Sequence, residues 1–359
     1  MLKGAIVLLV LASASAIRLG DLNVRVDPRK VTVSGLSSGG AMATQLHVAL
    51  SSKIYGAAIF AGSPNARFNL PYYCADHHMF GGLTGATSCM YSPFLSDVND
   101  MIDAARDFDS SGDIDPLDNM STNRHKVYVF HGTADFTVNP DNGVDVETFY
   151  QEFLASSSDI MTEFSLASGH GFGYNRVDKS FVPSVPKPTD NPDANSCGAT
   201  SSPYINDCNY HGAFESLNHL YGGGLEKPEG TVDLPGSLER FEQAEFFGGN
   251  PGSDSMADEG FVYVPSRCEA GEVVCKLHIP LHGCKQNEDS VDDAYVTMTG
   301  YLEVGELNNI VMLFPQTTSS GFDNPNACWD WWGYTDNNYL VRDGVQIDGI
   351  SQMIDSIIN

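Results

Sequence analysis

The sequence predicts an α/β protein whose central, mostly parallel sheet is flanked by helices. Three observations lead there. Short apolar runs alternate with stretches of helical spacing along the 359 residues. With 42% hydrophobic and 18% charged residues, the chain can bury a large core and is not compositionally disordered. Its 35 glycines and 18 prolines are scattered, and no internal repeat is present. At roughly 150 residues per domain the length allows two domains, but α/β chains of this size commonly form one body.

The first segment is expected to lie outside the fold. Lys3 precedes the apolar run from Ala5 to Ala12, and Ala14-Ser15-Ala16 supplies small residues suited to a signal peptidase. Residues 1–16 are therefore read as a signal peptide, with the mature chain starting near Ile17. That run is shorter than the roughly 20 residues a membrane span needs, and no later stretch is long enough. Buried strands are expected at Lys30–Ser34, Ala57–Ala61, His125–His131, Phe261–Pro265, Val274–Leu281 and Asn309–Phe314. Helices are expected at Gly40–Ser52, Val144–Ala155 and Gly344–Ile358. In the last of these, Ile347, Ile350, Ile354 and Ile357 fall on one face. The proline-rich run Val182–Asp193 is expected as a surface loop.

Nineteen Lys+Arg against 46 Asp+Glu leave a formal charge of −27. Such a surface repels nucleic acid and anionic membranes, so neither is an expected partner, and a neutral substrate suits it better. The eight cysteines fit the oxidising route of a secreted protein. None forms the C-x-x-C pair of a structural zinc site, so no metal is expected. Among about 105 possible pairings, the simplest joins Cys74 to Cys89, Cys197 to Cys208 and Cys268 to Cys275, leaving Cys284 for Cys328.

The chemistry is concentrated in three loops. Gly35-Leu36-Ser37-Ser38-Gly39 matches G-x-S-x-G between a β-branched strand and an alanine-rich helix, the setting of a nucleophile elbow. There Ser37 projects at the helix N-terminus, and the N–H of Ser38 is placed to stabilise an oxyanion. A serine needs a base, and the base needs an orienting acid. Asp135 follows the strand Val127–Phe130 in His131-Gly132-Thr133-Ala134-Asp135, and His170 lies in the glycine-rich run Ser168-Gly169-His170-Gly171. The order Ser37, Asp135, His170 is that of α/β-hydrolases. Among competing histidines, His131 is expected to pack at a strand end, His77 and His78 lie in a cysteine loop, and His211 and His219 sit by a helix.

A further strand ends in His282-Gly283-Cys284, like the oxyanion segment that precedes the nucleophile in ordinary hydrolases. Its position far downstream of Ser37 points to a circular permutation; the alternative is a second domain starting near Gly223. Asp107 to Asp118 spaces carboxylates and Gly112 much like a calcium loop, but the final position is Asp, and Pro116 removes the exit helix. Calcium is not expected. Asn119-Met120-Ser121 is a potential glycosylation site.

Together these stretches resemble the secreted poly(3-hydroxybutyrate) depolymerases of the single-domain, circularly permuted α/β-hydrolase type. The resemblance runs through VSGLSSGGAMA, SCMY, HGTADFTVNP, SGHGF, NSCGATSSPYINDCNYHGA, YVPSRCEAGEVVCKLHIPLHGCKQ, IVMLFPQ and ACWDWWGY. It implies one catalytic domain over residues 17–359, with Ser37 as nucleophile, His170 as base then acid, and Asp135 as its orienting carboxylate. It also implies an oxyanion hole from the N–H groups of Ser38 and Cys284, the latter fixed by a Cys284–Cys328 disulfide. Trp331 matches the substrate-contacting tryptophan, and Trp329 and Trp332 are further candidates. The implied protein is a monomeric, secreted serine esterase acting on a polyester or small ester without a cofactor. Alternatives are a hydrolase of soluble hydroxybutyrate oligomers, a carbohydrate-ester hydrolase of feruloyl-esterase type, and a catalytically silent polymer-binding protein.

Overall fold

The computed structural model describes residues 16–62, 90, 97–174 and 194–358. Residues 1–15 of the expected signal peptide, His77 and His78, the Cys74–Cys89 pair and the run Val182–Asp193 lie outside the described residues. Strands β1 (Val26–Leu36), β2 (Gly56–Phe60), β3 (Lys126–Phe130) and β4 (Ile160–Glu163) come from the N-terminal half. A small sheet follows, made of β5 (Phe172–Tyr174), β6 (Asn195–Ser196) and β7 (Ile205–Asp207), and then β8 (Ser237–Glu242), β9 (Glu259–Val264), β10 (Cys275–Leu281) and β11 (Ile310–Phe314).

The main sheet has the order β4-β3-β2-β1-β10-β11-β9-β8. All neighbours from β4 to β11 are parallel, whereas β9 is antiparallel to both β11 and β8. Strand β1, which ends at Leu36, thus pairs with β10, which leads into His282-Gly283, although β10 comes much later in the chain. This is the spatial order a circular permutation requires. Strands from both halves of the chain share one sheet, so the segment after Gly223 does not build a sheet of its own.

Helices of eight residues or more cover both faces: α1 (Ser38–Ala49), α2 (Val98–Ser111), α3 (Asp141–Phe153), α4 (Gly212–Leu220), α5 (Tyr301–Asn308) and α6 (Val345–Ile358). Alternation along β3 shows why its sequence reads as a continuous apolar run. Val127 and Val129 join the core formed with α1, α2, α3 and α6, and Tyr128 and Phe130 join the one formed with α4 and α5. A parallel sheet covered on both sides needs apolar residues at every position. Helix α1 is buried along all twelve residues, so its small apolar residues serve packing on every side and it has no polar face.

Differences from the expected elements have physical causes. β1 starts four residues earlier than expected, because a register irregularity between Val26 and Val31 leaves the polar Asp27–Lys30 stretch outside the apolar pattern. α1 begins at Ser38, immediately after the elbow, and so includes two glycines. The edge strands β4 and β8 are only partly buried and carry no apolar run to read. Helix α2 ends where Gly112 adopts a left-handed cap, placing Asp107 and Asp109 in its last turns. Asp115 instead accepts from the Ser52 N–H and hydroxyl and from Arg342. The Asn119 amide donates to Ser51 Oγ.

Disulfides Cys197–Cys208, Cys268–Cys275 and Cys284–Cys328 are formed as expected. Among the described residues no helix is long and apolar enough to cross a membrane.

Candidate active site

Because β1, β3, β4 and β10 run in the same direction, the loops that follow them meet at one edge of the sheet, where α/β proteins place their sites. At the end of β1 the chain turns through Ser37 with φ 57° and ψ −119°, a conformation costly for a residue with a side chain. Two glycines make the turn possible. A Cβ on Gly35 would lie 2.1 Å from the Gly39 carbonyl oxygen, and one on Gly39 would lie 2.4 Å from the carbonyl oxygens of Leu281 and His282. Backbone from the elbow and from the end of β10 therefore touch directly. The Ser37 N–H donates to Phe60 O at 2.9 Å, and the hydroxyl finds no partner among the described residues.

The loop after β3 holds Asp135, which is buried with His170. His170 Nδ1 lies 2.7 Å from Asp135 Oδ2. Since a carboxylate only accepts, the Nδ1 proton is fixed there and the Nε2 lone pair is left available to act as a base. Asp135 Oδ1 accepts from the N–H groups of Thr137 (2.8 Å) and Val138 (2.9 Å). Burial by itself would raise its pKa, but hydrogen bonds with His131 and His170 outweigh that and hold the carboxyl well below the usual range.

His131 does sit at its strand end as expected, yet it also faces the acid. Its Nε2 bonds Val138 O at 2.9 Å and lies 3.4 Å from Asp135 Oδ2. This second contact was not legible from the sequence. The His170 loop is held in turn by Asn206 of β7, whose amide reaches the carbonyls of Ala199 (2.9 Å), Cys197 (3.2 Å) and Gly169 (3.3 Å). The Cys197–Cys208 bridge closes the same region.

At the end of β10, Thr317 N–H donates to His282 Nε2 at 3.2 Å, so Nδ1 carries the ring proton and donates to Gly283 O at 2.8 Å. Carbonyl and N–H point in opposite directions across a trans peptide. Holding the Gly283 carbonyl thereby aims the Cys284 N–H away from His282. A Cβ on Gly283 would lie 3.4 Å from Ser37 Cβ, which places this peptide beside the elbow. Neither the Ser38 nor the Cys284 N–H has an acceptor among the described residues. Burial pushes the His282 pKa down to about 4, keeping the ring neutral near pH 7.

The expectation that Trp329 contacts substrate needs correction. Its ring is 0% exposed in the core, with Nε1 donating to His282 O at 3.0 Å and its own N–H to Ser38 Oγ at 3.3 Å. A ring enclosed in this way braces the site from behind. Trp331 and Trp332 are half-buried, with ring centroids 5.4 Å apart in an edge-to-face pair.

A poly(3-hydroxybutyrate) depolymerase of Delftia acidovorans is 37% identical over 337 residues, 93% of this chain. A polyhydroxybutyrate depolymerase of Talaromyces funiculosus is 33% identical over 361 aligned positions, 97% of this chain and 94% of that protein. The chain belongs to the PHB depolymerase family. It spans 60% of the length of the Delftia relative. Among solved structures, a serine-to-alanine variant of a PHB depolymerase complexed with an R3HB trimer superposes with a TM-score of 0.79 at 30% identity, covering 96% of this chain and 99% of that one. The crystal structure of the PHB depolymerase from Penicillium funiculosum gives 0.77 at 31% identity with the same coverage. The depolymerase fold, an α/β-hydrolase-like sheet flanked by helices, is thus shared over almost the whole chain. No family model matches the chain.

Proposed function

We propose that this protein is a secreted serine esterase, acting as a monomer, that hydrolyses poly(3-hydroxybutyrate) or a related polyhydroxyalkanoate to 3-hydroxyacid monomers and oligomers. The observation that carries this reading is the likeness, over nearly the whole chain, to a depolymerase bound to an R3HB trimer. The Asp135–His170 pair at the sheet edge where β1 ends supports the chemistry. Three disulfides fit export.

In the first step Ser37 Oγ bonds to the ester carbonyl carbon while its proton passes to His170 Nε2. The carbonyl oxygen becomes an oxyanion that accepts from the Ser38 and Cys284 N–H groups. Collapse breaks the ester C–O bond, and the departing alkoxide takes the proton from His170 to leave as the hydroxyl end of the polymer. Water then attacks the acyl-enzyme, gives its proton to His170, and the second collapse returns that proton to Ser37 and releases the acid. Asp135 keeps the ring oriented and stabilises the imidazolium formed at each half. Trp331 supplies an apolar face for the polyester strand, and Phe136, next to Asp135 and 87% exposed, adds apolar surface beside the site.

The test is acid release from poly(3-hydroxybutyrate) film and from a short soluble ester, by the wild type and by Ser37→Ala. Loss of both activities in the variant is expected. Serine-dependent cleavage of the soluble ester alone would move the substrate to oligomers or another ester, and no activity on either would favour a binding protein.

A further inference from the structure

The segment Cys328–Thr335 forms neither helix nor strand, yet one side chain organises it. Asp330 is 0% exposed. Its Oδ1 accepts from the N–H groups of Trp332 (3.3 Å), Gly333 (2.6 Å) and Tyr334 (3.0 Å). Its Oδ2 accepts from the N–H (2.9 Å) and hydroxyl (2.5 Å) of Thr335. Four successive backbone amides are thus satisfied by one carboxylate, in a loop too irregular to pair them with itself.

Asp330 is also anchored through its own backbone. Its N–H donates to Gln346 Oε1 of α6 at 2.9 Å, and its carbonyl accepts from Gln45 of α1 at 3.0 Å. Helix α1 is the one that starts from the elbow. Trp331 lies within the turn that Asp330 closes, and the Trp332 ring sits between an edge-to-face contact with Trp331 and a tilted contact with Tyr334, with centroids 5.4 and 4.7 Å away. The aromatic pair is therefore held from below, by a residue that does not reach the surface.

We propose that Asp330 is a positioning residue for substrate binding: its carboxylate holds Trp331 and Trp332 in one arrangement and so sets the affinity for hydroxyalkanoate oligomers. This rests on the reading that Trp331 touches substrate. A preordered pair meets the ester strand without the ordering cost that a loose loop incurs on binding. An amide in place of the carboxylate keeps the shape but turns a donor toward at least one of the N–H groups it must accept. The loss falls on binding rather than on the bond-breaking step.

The test uses the full-length protein, with Asp330→Asn, Trp331→Ala and the double variant assayed on a soluble 3-hydroxybutyrate trimer, and the Trp331–Trp332 exciton band followed by circular dichroism. Asp330→Asn is expected to weaken that band and raise KM about tenfold with kcat changed less than about threefold, and the double variant to be no worse than Trp331→Ala. An unchanged KM in Asp330→Asn, or effects that multiply in the double variant, would overturn the proposal. If Trp331→Ala raises KM and Asp330→Asn does not, this inference alone falls; if Trp331→Ala leaves KM at the wild-type value, the reading of Trp331 as a substrate contact falls with it. Should Asp330→Asn lose its cooperative unfolding transition, Thr335→Val, which removes one hydroxyl donor, must raise KM in the same direction, and an unchanged value overturns the proposal.

Discussion

Trp329 Nε1 donates to the backbone carbonyl of His282 at 3.0 Å. This bond joins the aromatic segment to the end of β10, and the Cys284–Cys328 disulfide joins the same two segments two residues further along on one side and one residue back on the other. The Gly283–Cys284 peptide is consequently held between two ties, at the His282 carbonyl before it and at the Cys284 side chain after it. In the proposed mechanism that rigidity is what an oxyanion donor requires, because donors that need no reorganisation stabilise the transition state most.

Removing the bridge tests that link. Cys328→Ser opens a loop with a sequence separation of 44, which the chain-entropy relation values at about 4 kcal/mol. Denaturant unfolding should register a loss of that order, and kcat on a soluble ester should fall about 100-fold, the lower end for a lost oxyanion donor. Full turnover in the variant would mean that the bridge does not hold the donor.

The neutral His282 makes a pH prediction whose sign is fixed. Its folded pKa is about 4 and its ordinary value 6.5, so within that window the unfolded chain binds a proton that the folded chain does not. Its contribution is complete above about pH 6.5 and is lost as pH falls toward 4. His282→Asn retains a donor for Gly283 O but cannot titrate. Between pH 6.5 and 4 the wild type should therefore lose stability faster than the variant, by roughly 1.4 kcal/mol per pH unit. Parallel urea-midpoint curves for the two proteins would contradict the neutral assignment.

Asp135→Asn should preserve the fold while exchanging one acceptor oxygen for an amide donor facing His170. The ring then turns or changes tautomer, and its Nε2 no longer serves as a base. A drop in kcat on the order of 10,000-fold is expected, with KM little changed. Comparable loss in both parameters would point to a collapsed loop instead.

Gly39→Ala addresses the close approach of elbow and β10. Its Cβ would lie 2.4 Å from two backbone carbonyl oxygens, which cannot withdraw without separating Ser37 from the Gly283–Cys284 peptide. Thermal unfolding should show destabilisation of about 3 kcal/mol, and ester hydrolysis should fall further than the lost folded fraction accounts for.

Much of this architecture is written locally. The elbow is legible because β1, Ser37 and α1 are contiguous, and the strand before Asp135 because both faces of the sheet demand apolar residues at Val127 to Phe130. β4 and β8 escape notice because half-buried edges carry mixed side chains. The contact of His131 with Asp135 and the five donors around Asp330 depend on how loops fold in space, which spacing does not encode. Trp329 and Trp331 alternate within four residues, and only packing decides that the first faces the core.

Covalent capture with a fluorophosphonate, followed by peptide mass spectrometry, tests whether Ser37 is the nucleophile. The adduct is expected on the peptide carrying Ser37, with labelling and hydrolysis of poly(3-hydroxybutyrate) film lost together at the same rate and both absent from Ser37→Ala. Labelling at another serine, or film hydrolysis that persists after Ser37 is fully modified, would rule out Ser37 as the nucleophile.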